Sequence, residues 1–262
     1  MNIHFSTTSR AAIITANNDA GDQHAVAAIA TILEGADSPV RQQAIAAREA
    51  VESFAPSAAN IIATYSIAAR PTQLRNLAMR TLAGPTQRLI DAGRAEKRAK
   101  DAAWTRLLSV PAADATIATL RQHDRTAFTR LAIGDKAAWI EQADVDRLGA
   151  VIEAGAARFP DMTAPIWDRL EERYAALNYI RMAGTAADFA RKPTAADPIA
   201  TGVDMDAAER AAEKGLERHH ERNEIIDAVE QAVQGINTIV ALTCELDMAS
   251  AFTLLTTGEV PA

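Results

Sequence analysis

Five residues between positions 94 and 104 have the types and spacing to contact an acidic polymer. The set is Arg94, Lys97, Arg98, Lys100 and Trp104. On a predicted helix over residues 85–108 the four cations share one arc, and Trp104 points the same way. Aligned cations neutralise successive phosphates, and an aromatic side chain can stack on an unpaired base. The pattern is consistent with nucleic acid or an acidic protein partner, although the commoner use of such a face is solvation or internal ion pairing.

A second group with chemical potential consists of Glu217, His220 and Glu224. Their spacing of three and four residues places them on one face of a predicted helix. An acidic residue three positions before a histidine recurs in helical bundles that bind two metals, but those sites take a second such motif from other helices. This chain has no second copy. We therefore expect no metal and no cofactor, and we treat the three residues as weak candidates on a solvated helix.

Other catalytic signatures are missing from the sequence. The glycines are scattered singly, so no phosphate-binding loop is formed, and no Gly-x-Ser-x-Gly elbow occurs. The single cysteine, Cys244, has no histidine nearby in sequence and lies in an apolar stretch, which predicts a buried, inert thiol. Adjacent Glu171 and Glu172 point about 100 degrees apart on a helix. The sequence thus favours a non-catalytic protein, and a helical enzyme of unknown reaction stays as a third hypothesis.

The composition indicates which kind of fold positions these groups. Alanine supplies 59 of the 262 residues, and aromatic residues make up only 5%. Alanine has the best helix propensity and a small side chain, so we predict an all-α protein of closely spaced helices. The length suffices for one large domain or two small ones.

The last long stretch, Asp204 to Thr257, is predicted to be one helix, straight or bent. Its second half is apolar nearly all round, which indicates burial on several sides. The helix is either the central core of this subunit or shared with other subunits. We exclude a membrane span because Glu245 and Asp247 would each cost roughly 2.5–3.5 kcal/mol on insertion. The predicted subunit or core packing residues are Ile225, Val229, Ile236, Ile239, Leu246 and Phe252.

In the remainder of the chain, proline and glycine residues indicate where the predicted helices begin and end. Asp22 is predicted to cap a helix that ends near Glu34, and Ser38-Pro39 and Pro56-Ser57 each open a further helix. Alanines opposite the cations of the 85–108 helix predict a smooth stripe for close packing. The predicted segments are a short non-helical N-terminal arm or strand over 1–21, a body of short helices over 22–191, a linker over 192–203 and the long helix over 204–257.

Charge is distributed unevenly along the chain. Residues 70–134 carry 12 basic and 5 acidic groups, whereas residues 135–262 carry 12 basic and 23 acidic groups. Two explanations stay open: the basic and acidic parts attract each other within the protein, or each faces a different partner.

These features together favour a structural or assembly protein that packs against copies of itself or joins a larger complex. A virus particle or a similar multi-subunit machine would suit them. The alternative is a nucleic-acid-binding helical adaptor that uses the basic helix. The N-terminus shows no signal peptide, so we expect a cytoplasmic location or an intracellularly assembled particle.

Overall fold

The computed structural model describes residues 1–183, 189–202 and 204–259, and most of them are helical. The mostly helical class expected from the sequence is confirmed, with a small N-terminal sheet in addition. The chain forms two compact units. Unit 1 comprises Met1–Ala99 and Glu221–Ala262, and unit 2 comprises Lys100–His220. Whether the segments predicted from sequence are separate folding domains stays a prediction.

Unit 1 begins with a three-stranded antiparallel sheet. Its strands are β1 (Asn2–Thr7), β2 (Ala11–Asn17) and β3 (His24–Ala30), in the order β1-β2-β3. The second turn is tied by the Asn18 amide, which donates to Asp22 Oδ1 at 2.6 Å, and by Gly21 at φ +74°. A left-handed φ of this kind suits glycine.

The sheet decides one alternative and corrects one expectation. Of the arm or strand predicted over residues 1–21, the strand is present, as β1 and β2, whereas the helix predicted from Asp22 is a strand followed by the short helix α1 (Thr31–Gly35). Along β3, Ala25, Ala27 and Ile29 are buried while the residues between them are exposed. This period-two pattern is the signature of a half-buried strand. Because alanine occupies most of those positions, its high helix propensity favoured the prediction of a helix. Strand pairing outweighs that propensity in the folded protein.

The first of the helices that follow in unit 1 is longer than predicted. These helices are α2 (Val40–Thr64), α3 (Arg70–Ala78) and, after a π-helical turn at Met79–Ala83, α4 (Gly84–Leu107), whose end lies in unit 2. The predicted break before Pro56 is wrong, because α2 continues through it. Phe54, Ala55 and Ala58 are all buried there, so core packing on both sides offsets the cost of an interior proline, about 3 kcal/mol.

Unit 2 is entirely helical in its described regular elements. Besides the end of α4 and the first part, up to His220, of the long helix α9 (Met205–Cys244), these are α5 (Ala115–Thr129), α6 (Ile133–Gln142), α7 (Val145–Ala154), a 3₁₀ turn at Ala156–Arg158 and α8 (Ala164–Ala183). Asp144 caps α7, since its Oδ1 accepts from the backbone N–H groups of Asp146 and Arg147. Phe128, Phe159 and Tyr174 are fully buried in the core of this unit.

The predicted linker over 192–203 carries no helix in its described residues, 192–202. Backbone hydrogen bonds close a loop at its base. Arg191 N donates to Gly202 O at 2.9 Å, and Asp204 N donates to Phe189 O at 2.6 Å.

The predicted single C-terminal helix is two helices, α9 (Met205–Cys244) and α10 (Met248–Thr257). Glu245 adopts a left-handed φ of 52°, and Asp247 Oδ1 then caps α10 by accepting from Ala249 N and Ser250 N, both at 2.9 Å. These local hydrogen bonds replace those of a continuous helix. No single helix in the described part of the chain has the length and apolarity for a membrane span. Only α9 and α10 taken together reach that threshold, and they are bent by 109°.

Candidate interaction groove

Helices α4 and α9 line an open, mainly apolar groove in unit 1, and α10 contributes one residue to it. The groove has a volume of about 270 Å³. Its apolar lining consists of Ile90, Gly93, Ile226, Val229, Val233 and Phe252. Its polar lining consists of Arg94 and Lys97 from α4 and Glu230 and Gln234 from α9. Exposed concave apolar surface rimmed by charge is typical of a protein-interaction site.

The depth of the groove depends on a close approach of the two helices at Gly93. A Cβ atom at this position would lie 2.8 Å from Val229 Cγ1, closer than carbon atoms pack. Valine is β-branched and restricted at χ1, so it cannot turn aside easily. A larger residue at position 93 would therefore fill the floor of the groove or separate the helices.

The rim of the groove is basic on α4 and acidic on α9. Lys97 Nζ lies 3.6 Å from Glu230 Oε1. Arg94 is 64% exposed, and its one ion pair with a described residue is with Asp91 on its own helix, at 3.8 Å. Exposed pairs of this kind contribute about 0–1 kcal/mol each, so the rim charges can exchange partners at little cost.

An aromatic side chain stands at the edge of the groove. Phe252 is 39% exposed, and Met248, one turn earlier on α10, is 49% exposed. The opposite face of α10 is fixed in the core by Ala251, Leu254 and Leu255, all of which are buried. The helix thus holds an apolar surface outward on a rigid base.

The six residues predicted to pack a core or a subunit contact take different positions. Val229, Ile236 and Ile239 are buried in the core of unit 1, and Ile225 and Leu246 pack against that core half-buried. Unit 1 therefore encloses this part of α9 with its own side chains, as the core-helix alternative expected. Of the six, Phe252 is the exposed one.

The predicted basic face is used in several ways. Arg98 is exposed, and Lys100 Nζ lies 3.3 Å from Asp101 Oδ1. Within unit 2, Trp104 stacks on His219 at 4.1 Å between ring centroids, and its Nε1 donates to Glu171 Oε2 at 3.4 Å. His219 therefore covers one face of the Trp104 ring, and Trp104 is the one aromatic residue in the predicted set. The nucleic-acid hypothesis stays a prediction, without Trp104 as an open stacking platform.

Of the alanine stripe predicted to pack on α4, Ala92 packs half-buried against the core of unit 1, and the other four alanines do not. Ala95, Ala99, Ala102 and Ala103 are exposed, whereas Leu89, Gly93 and Glu96 are buried. Small side chains permit close packing wherever they align, but the buried face of α4 is the one that carries Leu89, Ile90 and Gly93.

The weak metal candidates do not form a ligand set. His220 Nε2 lies 3.4 Å from Glu172 Oε1 of α8, and Glu217 and Glu224 are exposed on α9. No group of three or more histidine, cysteine or acidic side chains in the described residues could hold a metal ion.

Cys244 is the free thiol expected from the sequence, and it is fully buried at the end of α9. Burial raises the pKa of the Cys244 thiol to about 11, because desolvation disfavours the thiolate. Such a thiol is a poor nucleophile at neutral pH.

Sequence reasoning missed most of the groove. Ile90, Gly93, Ile226 and Val233 line it, yet no motif or periodicity marks them as a site. The available signal was Gly93, an isolated glycine in a charged helix, because such a glycine often marks a close approach. Comparison of the chain with protein-family models, with curated proteins and with solved structures finds no match.

Proposed function

We propose that this protein is a non-catalytic assembly component whose copies associate through the groove of unit 1. Phe252 of each copy enters the groove of the other, in a two-fold contact. The observation that supports the proposal is the exposed Phe252 beside an open apolar groove that it also helps to line.

A two-fold contact requires one patch that is complementary to itself. The groove region meets this requirement in shape, since an exposed aromatic and a concave apolar surface lie side by side. It also meets the requirement in charge. Arg94 and Lys97 line one side and Glu230 the other, so a two-fold rotation can place the basic side of one copy opposite the acidic side of its partner.

Phe252 would supply much of the binding energy in this contact. Full burial of a fully exposed phenylalanine side chain contributes about 1.5–3 kcal/mol, and the 39% of Phe252 that is exposed can supply a part of that value. Aromatic residues in central pockets dominate many interfaces. The groove is lined by ten residues, whereas a standard interface of about 1,600 Å² takes roughly 20–30 residues from each partner. We therefore expect a reversible dimer whose population rises with protein concentration.

Sedimentation velocity over a concentration series tests this function. The expected result for the wild type is a shift from the 28.0 kDa monomer towards twice that mass. Phe252→Asp should hold the chain at the monomer mass. Ile67→Asp, which places the same charge on an apolar side chain 70% exposed in unit 1 outside the groove lining, should behave as the wild type. A wild type that stays monomeric at all concentrations, or a Phe252→Asp variant that associates normally, would contradict the proposal.

A further inference from the structure

We propose that a second cavity, in unit 2, binds an oxyanion of the phosphate type. The cavity has a volume of about 340 Å³ and lies between α5 and the 3₁₀ turn that follows α7. Its polar lining consists of Gln122, Arg125, Thr126, Thr129, Arg130 and Arg158, and Phe159 lies at its base. This site is independent of the groove in unit 1.

The backbone brings three arginines to this cavity from two elements. Gln122, Arg125, Thr126 and Thr129 recur at three- and four-residue spacing and so share one face of α5. Arg130 follows directly after the helix. Arg158 comes from the 3₁₀ turn, which Gly155 begins at a φ of 77°.

The cations at the cavity outnumber the carboxylates that could neutralise them. Glu153 accepts from two guanidinium groups, those of Arg121 at 3.2 Å and of Arg125. Arg130 and Arg158 are exposed and have no ion pair with any described residue.

Two other groups in this region affect the local charge. Asp124, the nearest acidic residue on α5, lies 3.5 Å from Arg147, so it pairs outside the lining. The C-terminus of α5 contributes roughly half a negative charge, which the charges of Arg130 and Arg158 outweigh.

The available hydrogen-bond donors favour a charged ligand. Thr126 and Thr129 donate their hydroxyl protons to the backbone oxygens of Gln122 and Arg125, at 2.8 Å each. Arg125 already uses Nε on Ala150 O and Nη2 on Glu153. The donors left to a ligand are therefore mainly guanidinium groups, whose planar fork matches the oxygens of phosphate and adds its charge to each bond.

Isothermal titration calorimetry of the full chain at fixed ionic strength tests this inference. The probes are inorganic phosphate, pyrophosphate and adenosine monophosphate. The wild type should bind at least one of them with a saturable heat, and Arg130→Gln with Arg158→Gln should weaken that binding by about tenfold or more. Arg106→Gln, an exposed arginine of unit 2 outside the cavity lining, should leave the affinity unchanged.

The three probes distinguish the source of the phosphate group. Equal affinities would assign recognition to the phosphate alone, and tighter binding of the nucleotide, lost in the double variant, would assign it to a larger phosphate ester. Either result supports the site. A heat no greater than that of sodium chloride for every probe, or equal binding by the double variant and the wild type, would overturn it. Both substituted arginines are exposed, so circular dichroism should show the same fold and melting transition in all variants.

Discussion

Lys97 Nζ lies 3.6 Å from Glu230 Oε1, which joins the cation-rich segment of the sequence to its acidic end within unit 1. The contact bears on the uneven charge distribution along the chain. Unit 1 contains 11 lysine and arginine against 15 acidic residues, and unit 2 contains 16 against 19. Folding therefore distributes the charge almost evenly between the units. The contact is one case of the internal pairing expected from the sequence, and a separate partner for each part stays the alternative prediction.

Reversal of one rim charge should weaken self-association, and reversal of one charge on each side of the groove should restore it. We expect Arg94→Glu and Glu230→Arg each to raise the dimer dissociation constant by about fivefold, because each places like charges opposite one another. The two substitutions together should recover most of the wild-type affinity, since they exchange the signs of the two sides. Sedimentation velocity measures all three.

Arg88→Glu is the matched control for the rim charges. It makes the same change at an exposed arginine of α4 outside the groove lining, and it should leave the dissociation constant unchanged. Equal losses in Arg88→Glu and Arg94→Glu would indicate a general charge effect rather than a rim contact.

Two glycines of α9 should respond in opposite ways to alanine. A Cβ atom at Gly235 would lie 2.7 Å from the Cα atom of Ala27 on β3, so Gly235→Ala should lower the free energy of unfolding by about 1–3 kcal/mol. A Cβ atom at Gly215 would meet no other atom within 4 Å. Gly215→Ala should therefore raise the free energy of unfolding by about 0.5–1 kcal/mol through helix propensity alone. Urea denaturation measures both, and a stabilised Gly235→Ala would refute the close packing of α9 on the sheet.

The buried thiol of Cys244 should make stability fall at alkaline pH. Its pKa is about 11 in the folded protein against 9.0 as a free side chain, so the folded state holds the proton more tightly. The contribution is fully present below pH 9.0 and is lost as the pH rises towards about 11. Cys244→Ala should show a shallower decline of unfolding free energy over this range than the wild type. Identical pH profiles for the two proteins would show that the thiol is not desolvated.

The break between α9 and α10 stores local strain at Glu245, whose φ is 52°. A left-handed conformation costs a non-glycine residue roughly 1–2 kcal/mol, and a glycine at this position removes that cost. Glycine also increases the entropy of the unfolded chain, which offsets part of the gain in stability. Glu245→Gly should therefore raise the free energy of unfolding by about 0.5–1 kcal/mol. Glu245→Ala is the control and should give no gain, since it removes the side chain but keeps the strain. The Arg75 side chain bonds the backbone oxygen of Glu245, at 3.3 Å, and this bond persists in both variants.

The sequence predicts helices well where capping residues mark them and poorly where alanine dominates. Asp144 opens α7 as its residue type predicts, because a carboxylate that caps a helix acts locally. The strand at His24–Ala30 escapes prediction, because its alternation of buried and exposed alanines becomes visible only after strand pairing. The break at Glu245 was not predicted either. Its signal in the sequence is Asp247, an acidic capping residue, followed three residues later by Ser250, whose hydroxyl donates to the Asp247 carboxylate at 2.8 Å.

The groove could not have been derived from sequence periodicity. The residues that line it from α4 and from α9 are separated by more than a hundred positions, and the approach of the two helices depends on Gly93 lying opposite Val229. Periodicity identifies which face of a helix is apolar. It does not show which distant helix packs on that face, or how much of the face stays exposed. For the same reason the sequence assigns Phe252 only to packing in general, and its position at the rim is a product of the tertiary fold.

The most direct test of the self-association is photo-crosslinking from position 252. A benzoylphenylalanine at this position is activated in an equal mixture of ¹⁴N- and ¹⁵N-labelled chains, and crosslinked tryptic peptides are identified by mass spectrometry. We expect peptides that join position 252 of one isotope form to Leu89–Arg94 of the other, in the wall of the groove. Crosslinks found solely between chains of the same isotope, at concentrations where the wild type is fully mixed, would contradict it.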